Sequence, residues 1–245
     1  MKISIITVCY NSSKTILYTI KSVNDQSYKN IEHVFVDGLS IDNTLELIKL
    51  NSKRNTKIIS EKDNSLYDAM NKGIKIASGD IIAILNSDDI FASNDIISKV
   101  MNFINETKSD IVYGNINYVN KNGNIVRVWN SSSFKRGSFA SGWHPPHPSL
   151  FLKKSVYECC GLFDLNLKIA SDFEFMLRIF ENYDFKIEFL DMFFVNMKTG
   201  GKSNSIIGIF KGMNEIKLAF KKNKIKPDKL YFLKRYLTKL MEYFK

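Results

Sequence analysis

Asp88 and Asp89 follow the strand-like run from Asp80 to Leu85, with only Asn86 and Ser87 between. Adjacent carboxylates repel unless a cation lies near them. Mg²⁺ and Mn²⁺ prefer hard oxygen ligands, and Mg²⁺ typically takes one or two carboxylates together with substrate phosphates. The alternative use of the pair is to cap a helix opening near Ser93 or Asn94. Asp37 ends an earlier apolar run and precedes Gly38. At a strand end in an open α/β sheet, an acid can accept hydrogen bonds from a ribose or a base. Asp42 reads as a helix cap. Asp172 follows Ser171 at the start of an amphipathic segment. An acid there either answers the helix dipole or serves as a general base. His147, within His144-Pro145-Pro146-His147-Pro148-Ser149, reads by itself as a loop histidine packed by prolines. In Thr199-Gly200-Gly201-Lys202-Ser203 the glycines allow close backbone approach and Lys202 could meet phosphate. A plain flexible loop explains the same residues. Arg178 reads as an ion-pair partner on the helix of Asp172.

The elements that must hold these residues alternate. Residues 2–9 form a buried strand, and Ser12 or Ser13 caps a helix with Ile16, Leu17, Ile20 and Val23 on one face. Ile31 to Asp37 is a second strand, followed by a helix capped by Asp42. Lys57 to Ser60, a helix over Tyr67 to Ala77, the strand before Asn86 and a helix through Ile104 complete the series. Four strand–helix repeats in the first 105 residues predict an α/β fold: a Rossmann-like, mainly parallel sheet with helices on both faces. Ligands in such sheets sit beyond the carboxyl ends of the strands, where Tyr10, Asp37, Asp63 and Asp88-Asp89 stand. From residue 110 a hairpin turns at Asn122-Gly123. A long irregular stretch, 131–149, follows. Ser171 then caps a helix. Two short strands, Phe185 to Phe189 and Met192 to Lys198, are separated around Asp191, and a helical tail is broken at Pro227.

Composition narrows the function classes. The chain has 245 residues, 44% hydrophobic and 24% charged, which is globular composition. No apolar run approaches the ~18–20 residues of a membrane span. The N-terminal apolar stretch lacks a small-residue cleavage site and reads as a first strand rather than a signal peptide. Cys9, Cys159 and Cys160 fit no disulfide framework or zinc spacing and read as buried fillers in a reducing cytosol. Net charge is +10, but residues 211–245 hold eleven Lys/Arg against three Asp/Glu. The body is therefore close to neutral, unlike a nucleic-acid-binding domain. In the tail, Leu230, Phe232, Leu233, Tyr236, Leu237, Leu240, Met241 and Phe244 interleave with basic residues. Such a helix either lies on an anionic membrane surface or docks its apolar face on the domain or a second subunit.

Taken together, the motifs resemble the family 2 glycosyltransferases, in the branch that includes colanic acid biosynthesis glycosyltransferases. The resemblance is carried by Ile5-Ile6-Thr7-Val8-Cys9-Tyr10-Asn11, by Val36-Asp37-Gly38-Leu39-Ser40-Ile41-Asp42-Asn43-Thr44, by the stretch from Glu61 to Ile74 with Ala77-Ser78-Gly79-Asp80, and by Leu85-Asn86-Ser87-Asp88-Asp89. It implies a GT-A fold over 1–205, with a nucleotide-binding half at 1–105, an acceptor-binding half at 106–205 and a basic helical tail at 206–245. It implies sugar transfer with inversion from a nucleoside-diphosphate sugar, with Mg²⁺ or Mn²⁺, to a glycan or lipid-linked acceptor in bacterial surface polysaccharide or lipopolysaccharide synthesis. The protein is then cytoplasmic, at most peripheral on the inner face of the membrane. Asp37 would bind the nucleoside with Tyr10 and Asp63 near it. Asp88 would touch ribose or phosphate, Asp89 would hold the cation, and His147 would meet the donor phosphates, the metal or the acceptor. Asp172 would be the base, and Ser171 stands where the family more often has Glu. A nucleotidyltransferase is excluded by the absence of glycine in Cys9-Tyr10-Asn11-Ser12-Ser13. A non-catalytic nucleotide-sugar or glycan binding module of the same fold is the other reading, and oligomeric state is open.

Overall fold

The computed structural model describes residues 1–199 and 206–241. β1 (Ile3–Cys9) and β2 (Ile31–Asp37) are buried along their whole length, as strands covered on both faces must be. Between and after them come α1 (Ile16–Asn24), α2 (Thr44–Asn51), β3 (Asn55–Ser60), α3 (Leu66–Ile76) and β4 (Ile81–Ile84). The chain continues through a two-residue strand β5 (Ile90–Phe91), α4 (Ile96–Thr107), the hairpin β6 (Ile111–Val119) and β7 (Ile125–Trp129), and β8 (Phe151–Lys153). It ends with α5 (Lys154–Cys160), α6 (Ser171–Glu181), β9 (Ile187–Lys198), α7 (Ile206–Lys222) and α8 (Tyr231–Met241).

Among the described residues one sheet runs β3-β2-β1-β4-β8-β6-β9-β5, with β7 on β6. The first four strands are parallel, β8 is antiparallel to both β4 and β6, and β9 is parallel to β6. Thus β1, β2, β3, β4, β6 and β9 all point one way, and their carboxyl ends share one edge. Side chains alternate between two cores. Ile6 and Val8 face α3 and α6, whereas Ile3 and Ile5 face α4. This is the α/β fold expected from the alternation.

Several boundaries differ from the sequence reading. α1 starts after Thr15, α2 after Asn43 and α4 after Asp95, so none of the expected residues occupies the cap position itself. Ser171 is the first residue of α6 and is buried, its hydroxyl donating to the Asp164 carbonyl at 2.9 Å. The two strands expected on either side of Asp191 are one strand, β9. Asp191 stays exposed and accepts a bond from Asn115 Nδ2 at 2.9 Å, while register shifts between Tyr113 and Ile116 absorb the irregularity. Gly114 lies in that bulge, where a Cβ would come 2.5 Å from the Phe194 ring. The expected tail is not detached. Ile216, Ala219, Phe220 and Tyr231 are buried in the same core as α6. No helix of the described residues is long and apolar enough to cross a membrane.

The amino ends of the central strands are tied by Glu32, which is fully buried. It accepts bonds from the Ser4 and Ser78 hydroxyls at 2.6 Å each and from the Ser78 amide at 2.8 Å. It also pairs with Lys2 at 2.9 Å and Lys57 at 3.1 Å. Burial pushes its pKa up, but these bonds outweigh burial and hold the carboxyl well below the usual range. The unfolded carboxyl titrates near pH ~4.3, so this contribution is full above about pH 5 and is lost as pH falls. Glu32→Gln is expected to lower stability by about 2 kcal/mol at neutral pH. Denaturant melts of the variant will show a weaker decline of stability between about pH 5 and pH 3 than the parent protein.

Candidate active site

β1, β2 and β3 end in register at Cys9, Asp37 and Ser60. Asp37 is fully buried. Its Oδ2 accepts the Ser60 hydroxyl at 2.7 Å and the Ser40 amide at 3.1 Å. Burial and the Asp37 charge push the neighbouring Cys9 thiol up, so Cys9 remains a neutral filler. A Cβ at Gly38 would lie 3.0 Å from Asp63 Oδ2 and 3.5 Å from Tyr10 Cδ2. The glycine is therefore what lets Tyr10 and Asp63 approach the end of β2. Lys72 on α3 holds Asp63 at 2.7 Å and Glu61 at 3.0 Å.

The loops after β1 and β2 are stapled together. Asn11 N donates to Ser40 Oγ at 2.8 Å, Ile41 N to Asn11 Oδ1 at 2.9 Å, and Ser12 N to Thr44 Oγ1 at 2.8 Å. Asp42, one residue before the cap position of α2, accepts the Thr44 amide at 3.0 Å and also the Ser13 amide at 3.1 Å. Asn11 and Leu39 sit at φ of 49° and 62°. A rim fixed this way can present side chains to a ligand without having to order itself first.

After β4, Asp89 is 1% exposed while Asp88 is exposed. Asp89 Oδ2 accepts from Asn86 Nδ2 at 3.0 Å and Oδ1 from the backbone amide of Lys198, the last residue of β9, at 3.1 Å. Thr19 Oγ1 donates to the Asp89 carbonyl at 2.8 Å. Burial and the adjacent Asp88 charge push the Asp89 carboxyl up to about 7, despite those bonds. Asp88 is also raised by desolvation, with the Lys198 charge opposing. Among the described residues no cationic side chain pairs with Asp89. Asn86 Oδ1 is buried without a partner. Two carboxylates and an orphaned amide oxygen are the hard donor set that Mg²⁺ or Mn²⁺ accepts.

Asp172, half-buried, opens α6. Its Oδ1 faces the Tyr67 hydroxyl at 3.0 Å and accepts the Phe173 amide at 2.8 Å. Tyr67 Oη also lies 2.8 Å from the Ile169 carbonyl, so its single proton is shared between the two acceptors. Burial, followed by the Asp172 charge, raises the Tyr67 pKa and keeps it a donor. α3 begins six residues past the end of β3. Tyr67 therefore stands at the carboxyl edge of the sheet, and Asp172 with it. Asp172 and Asp89 come to this edge from opposite halves of the chain.

His147 does not join Asp88 and Asp89. Its ring meets Phe163 at 5.6 Å, and burial lowers its pKa against the pull of Asp172. Among the described residues no three His, Cys, Asp or Glu side chains gather as a metal-ligand set. Lys202 lies outside the described residues. Arg178 pairs with Glu174 at 3.0 Å, the structural role expected of it.

Two groups escaped the sequence reading. Tyr67 lay inside a quoted motif but was given no role. Glu215 on α7 had no local signal at all. Its Oε1 accepts the Lys168 amide at 3.0 Å, and its Oε2 accepts the Ile169 and Ala170 amides at 2.8 Å each. It thus supplies, from 45 residues away, the carboxylate that a capping residue normally supplies locally. Gly212, one turn earlier, lets α7 approach; its Cβ would meet Ile169 Cγ2 at 3.4 Å.

Residues 4–156 match the family model described as Glycosyl transferase family 2. A PGL/p-HBAD biosynthesis glycosyltransferase of Mycobacterium bovis is 27% identical over 212 residues, covering 83% of this chain and 80% of that protein. An uncharacterized glycosyltransferase of Mycobacterium tuberculosis is 32% identical over 178 residues, covering 72% and 68%. Among solved structures, S. aureus TarS 1–349 in complex with UDP-GlcNAc superposes with a TM-score of 0.73 at 23% identity, over 96% of this chain and 69% of that one. Mannosyltransferase PcManGT from Pyrobaculum calidifontis, in complex with GDP-Man and Mn²⁺, gives 0.65 at 15% identity, over 90% and 63%. At those identities the structural likeness is one of fold.

Glu215→Ala removes the acceptor for three amides ahead of α6. It is expected to cost about 1–3 kcal/mol. Hydrogen exchange at residues 168–170 should accelerate in the variant. Unchanged exchange there would contradict the capping assignment.

Proposed function

The chain belongs to glycosyl transferase family 2, and from that premise we propose that it moves one sugar from a nucleoside-diphosphate sugar to a hydroxyl of a glycan or lipid-linked acceptor, with inversion and with Mg²⁺ or Mn²⁺. The observation that carries this reading is Asp89, a carboxylate buried beside Asp88 with no cationic side chain of the described residues against it. Such a site costs free energy in the free protein and is relieved by a cation. Among the described residues no third carboxylate, histidine or cysteine gathers with them, so the other ligands of the ion would be donor phosphate oxygens and water.

The division of labour follows from where the acids stand. Asp37, Tyr10 and Asp63 take the nucleoside at the ends of β1 and β2. Asp89, with Asp88, holds the metal-diphosphate. The cation, when bound, offsets the negative charge that builds on the departing diphosphate. Asp172 accepts the proton of the acceptor hydroxyl as its oxygen bonds to the anomeric carbon and the bond from that carbon to the diphosphate breaks. One displacement inverts the anomeric centre. Tyr67 positions Asp172 through the hydroxyl contact. Ser171 is turned inward to Asp164 and leaves the acceptor to others. The resemblance to the colanic acid branch supports a place in bacterial surface polysaccharide or lipopolysaccharide synthesis. An enzyme with a lipid-linked acceptor then works at the inner face of the cytoplasmic membrane.

A thermal-shift series with UDP, GDP, dTDP and CMP, each with and without Mn²⁺, tests the donor site. A ligand at about 100 times its Kd adds about 2.7 kcal/mol, or roughly 5–10 °C for a chain of this length. One nucleotide is expected to give such a shift in the presence of Mn²⁺, and Asp89→Asn should abolish the Mn²⁺-dependent part. No shift with any of them would remove the donor-site reading.

A further inference from the structure

The docked and the exposed side chains described on and just before α8 fall on opposite faces. One face docks. Tyr231 is 1% exposed and meets Phe220 at 5.0 Å. The Arg235 guanidinium lies over Phe173 at 5.2 Å and donates to Tyr231 Oη at 3.0 Å. Asp228 N, just before the helix, donates to the Ala140 carbonyl at 2.9 Å. With about 100° between successive residues, Leu230, Leu233 and Leu237 fall together on the side opposite Tyr231 and Arg235. They are 57%, 55% and 49% exposed.

Lysines precede this stripe in the chain. Lys224, Lys226 and Lys229 are exposed, and among the described residues none has an ion-pair partner. A groove of about 340 Å³ is lined by Lys217, Lys221, Lys224 and Lys226 together with Phe220 and Ile225. Leucines on a helix call for hydrocarbon or protein, and unpaired lysines call for anions. A second copy would bring two positively charged faces together, which is unfavourable. A nucleic acid would take the lysines and leave the leucines in water. An anionic lipid surface takes both.

We propose that the outward face of α8, Leu230, Leu233 and Leu237 with the lysines at 224, 226 and 229, docks on an anionic lipid bilayer. α8 also carries Arg235, packed on Phe173 next to Asp172, so a docked helix ties the acceptor side of the site to the lipid surface. The proposal deepens the lipid-linked acceptor reading and rests on it for its purpose. Binding itself needs neither donor nor acceptor, so its failure would leave glycosyl transfer standing.

The experiment is co-sedimentation of the full chain with two vesicle types, phosphatidylcholine alone and phosphatidylcholine with about one-third phosphatidylglycerol. At least about tenfold stronger binding to the anionic vesicles is expected, weakening between about 0.1 M and 1 M salt. Leu233→Ser with Leu237→Ser should weaken it about tenfold or more. Lys224→Glu, Lys226→Glu and Lys229→Glu together should remove the preference for anionic lipid. All these side chains are exposed, so the melting temperature should hold in each variant. Equal or absent binding to both vesicle types would overturn the proposal. So would wild-type binding by the serine variant, or concentration-dependent dimers that the serine variant abolishes.

Discussion

Asp89 is a carboxylate taken out of water beside a second carboxylate, with only an amide side chain and one backbone amide to steady it. Loss of water is the larger cost, and the adjacent Asp88 charge adds to it; together they push the Asp89 carboxyl up to about 7. The rest of the sheet is arranged around this edge. β4 delivers the acid, the end of β9 supplies Lys198 N–H, and α1 supplies the Thr19 hydroxyl. Three separate elements thus hold in place a group that is unfavourable in the free protein. That cost is what the proposed cation and anionic donor would relieve.

The second acid is held differently. Asp172 faces hydrogen-bond donors rather than a carboxylate: the Tyr67 hydroxyl and its own helix amide. Its segment is then fixed from behind by Glu215 on α7. The first half of the chain reaches Asp172 through Tyr67, and the C-terminal helices reach its segment through Glu215 and Arg235. Two carboxylates at one sheet edge are therefore given different surroundings, one buried beside a second acid and one facing hydrogen-bond donors. Pushing two titratable groups into different environments is how one site performs two charge-handling tasks.

Much of this was legible in the amino-acid order because it is local. Strands end where apolar runs meet Asp37 and Asn86, and parallel topology then gathers those ends on one edge. Gly38 and the acids around it stand within short motifs, as does Tyr67. What was not legible depends on contacts distant in sequence. Glu215 lies in a lysine-rich helix and looks like surface charge until α7 is laid against residues 168–170. The start of α1 shifted because the Ser12 hydroxyl bonds to the Tyr10 carbonyl and Ser87 rather than to its own helix. Asp191 was read as a break because a charge seldom sits inside a buried strand, yet the bulge at Gly114 leaves it at the surface. His147 carried a ligand-like residue type but no information about which acid it would face. The basic tail showed a helical period without showing that one face belongs to the core and the other does not.

The account stands on the separation of roles between Asp89 and Asp172. The measurement that tests it most directly is single-turnover release of nucleoside diphosphate from a sugar donor that binds the parent protein, with donor and Mn²⁺ saturating, for Asp172→Asn. The account predicts a loss of about 10²-fold or more although the donor site is filled. Release within a few-fold of the parent rate under the same conditions would contradict it.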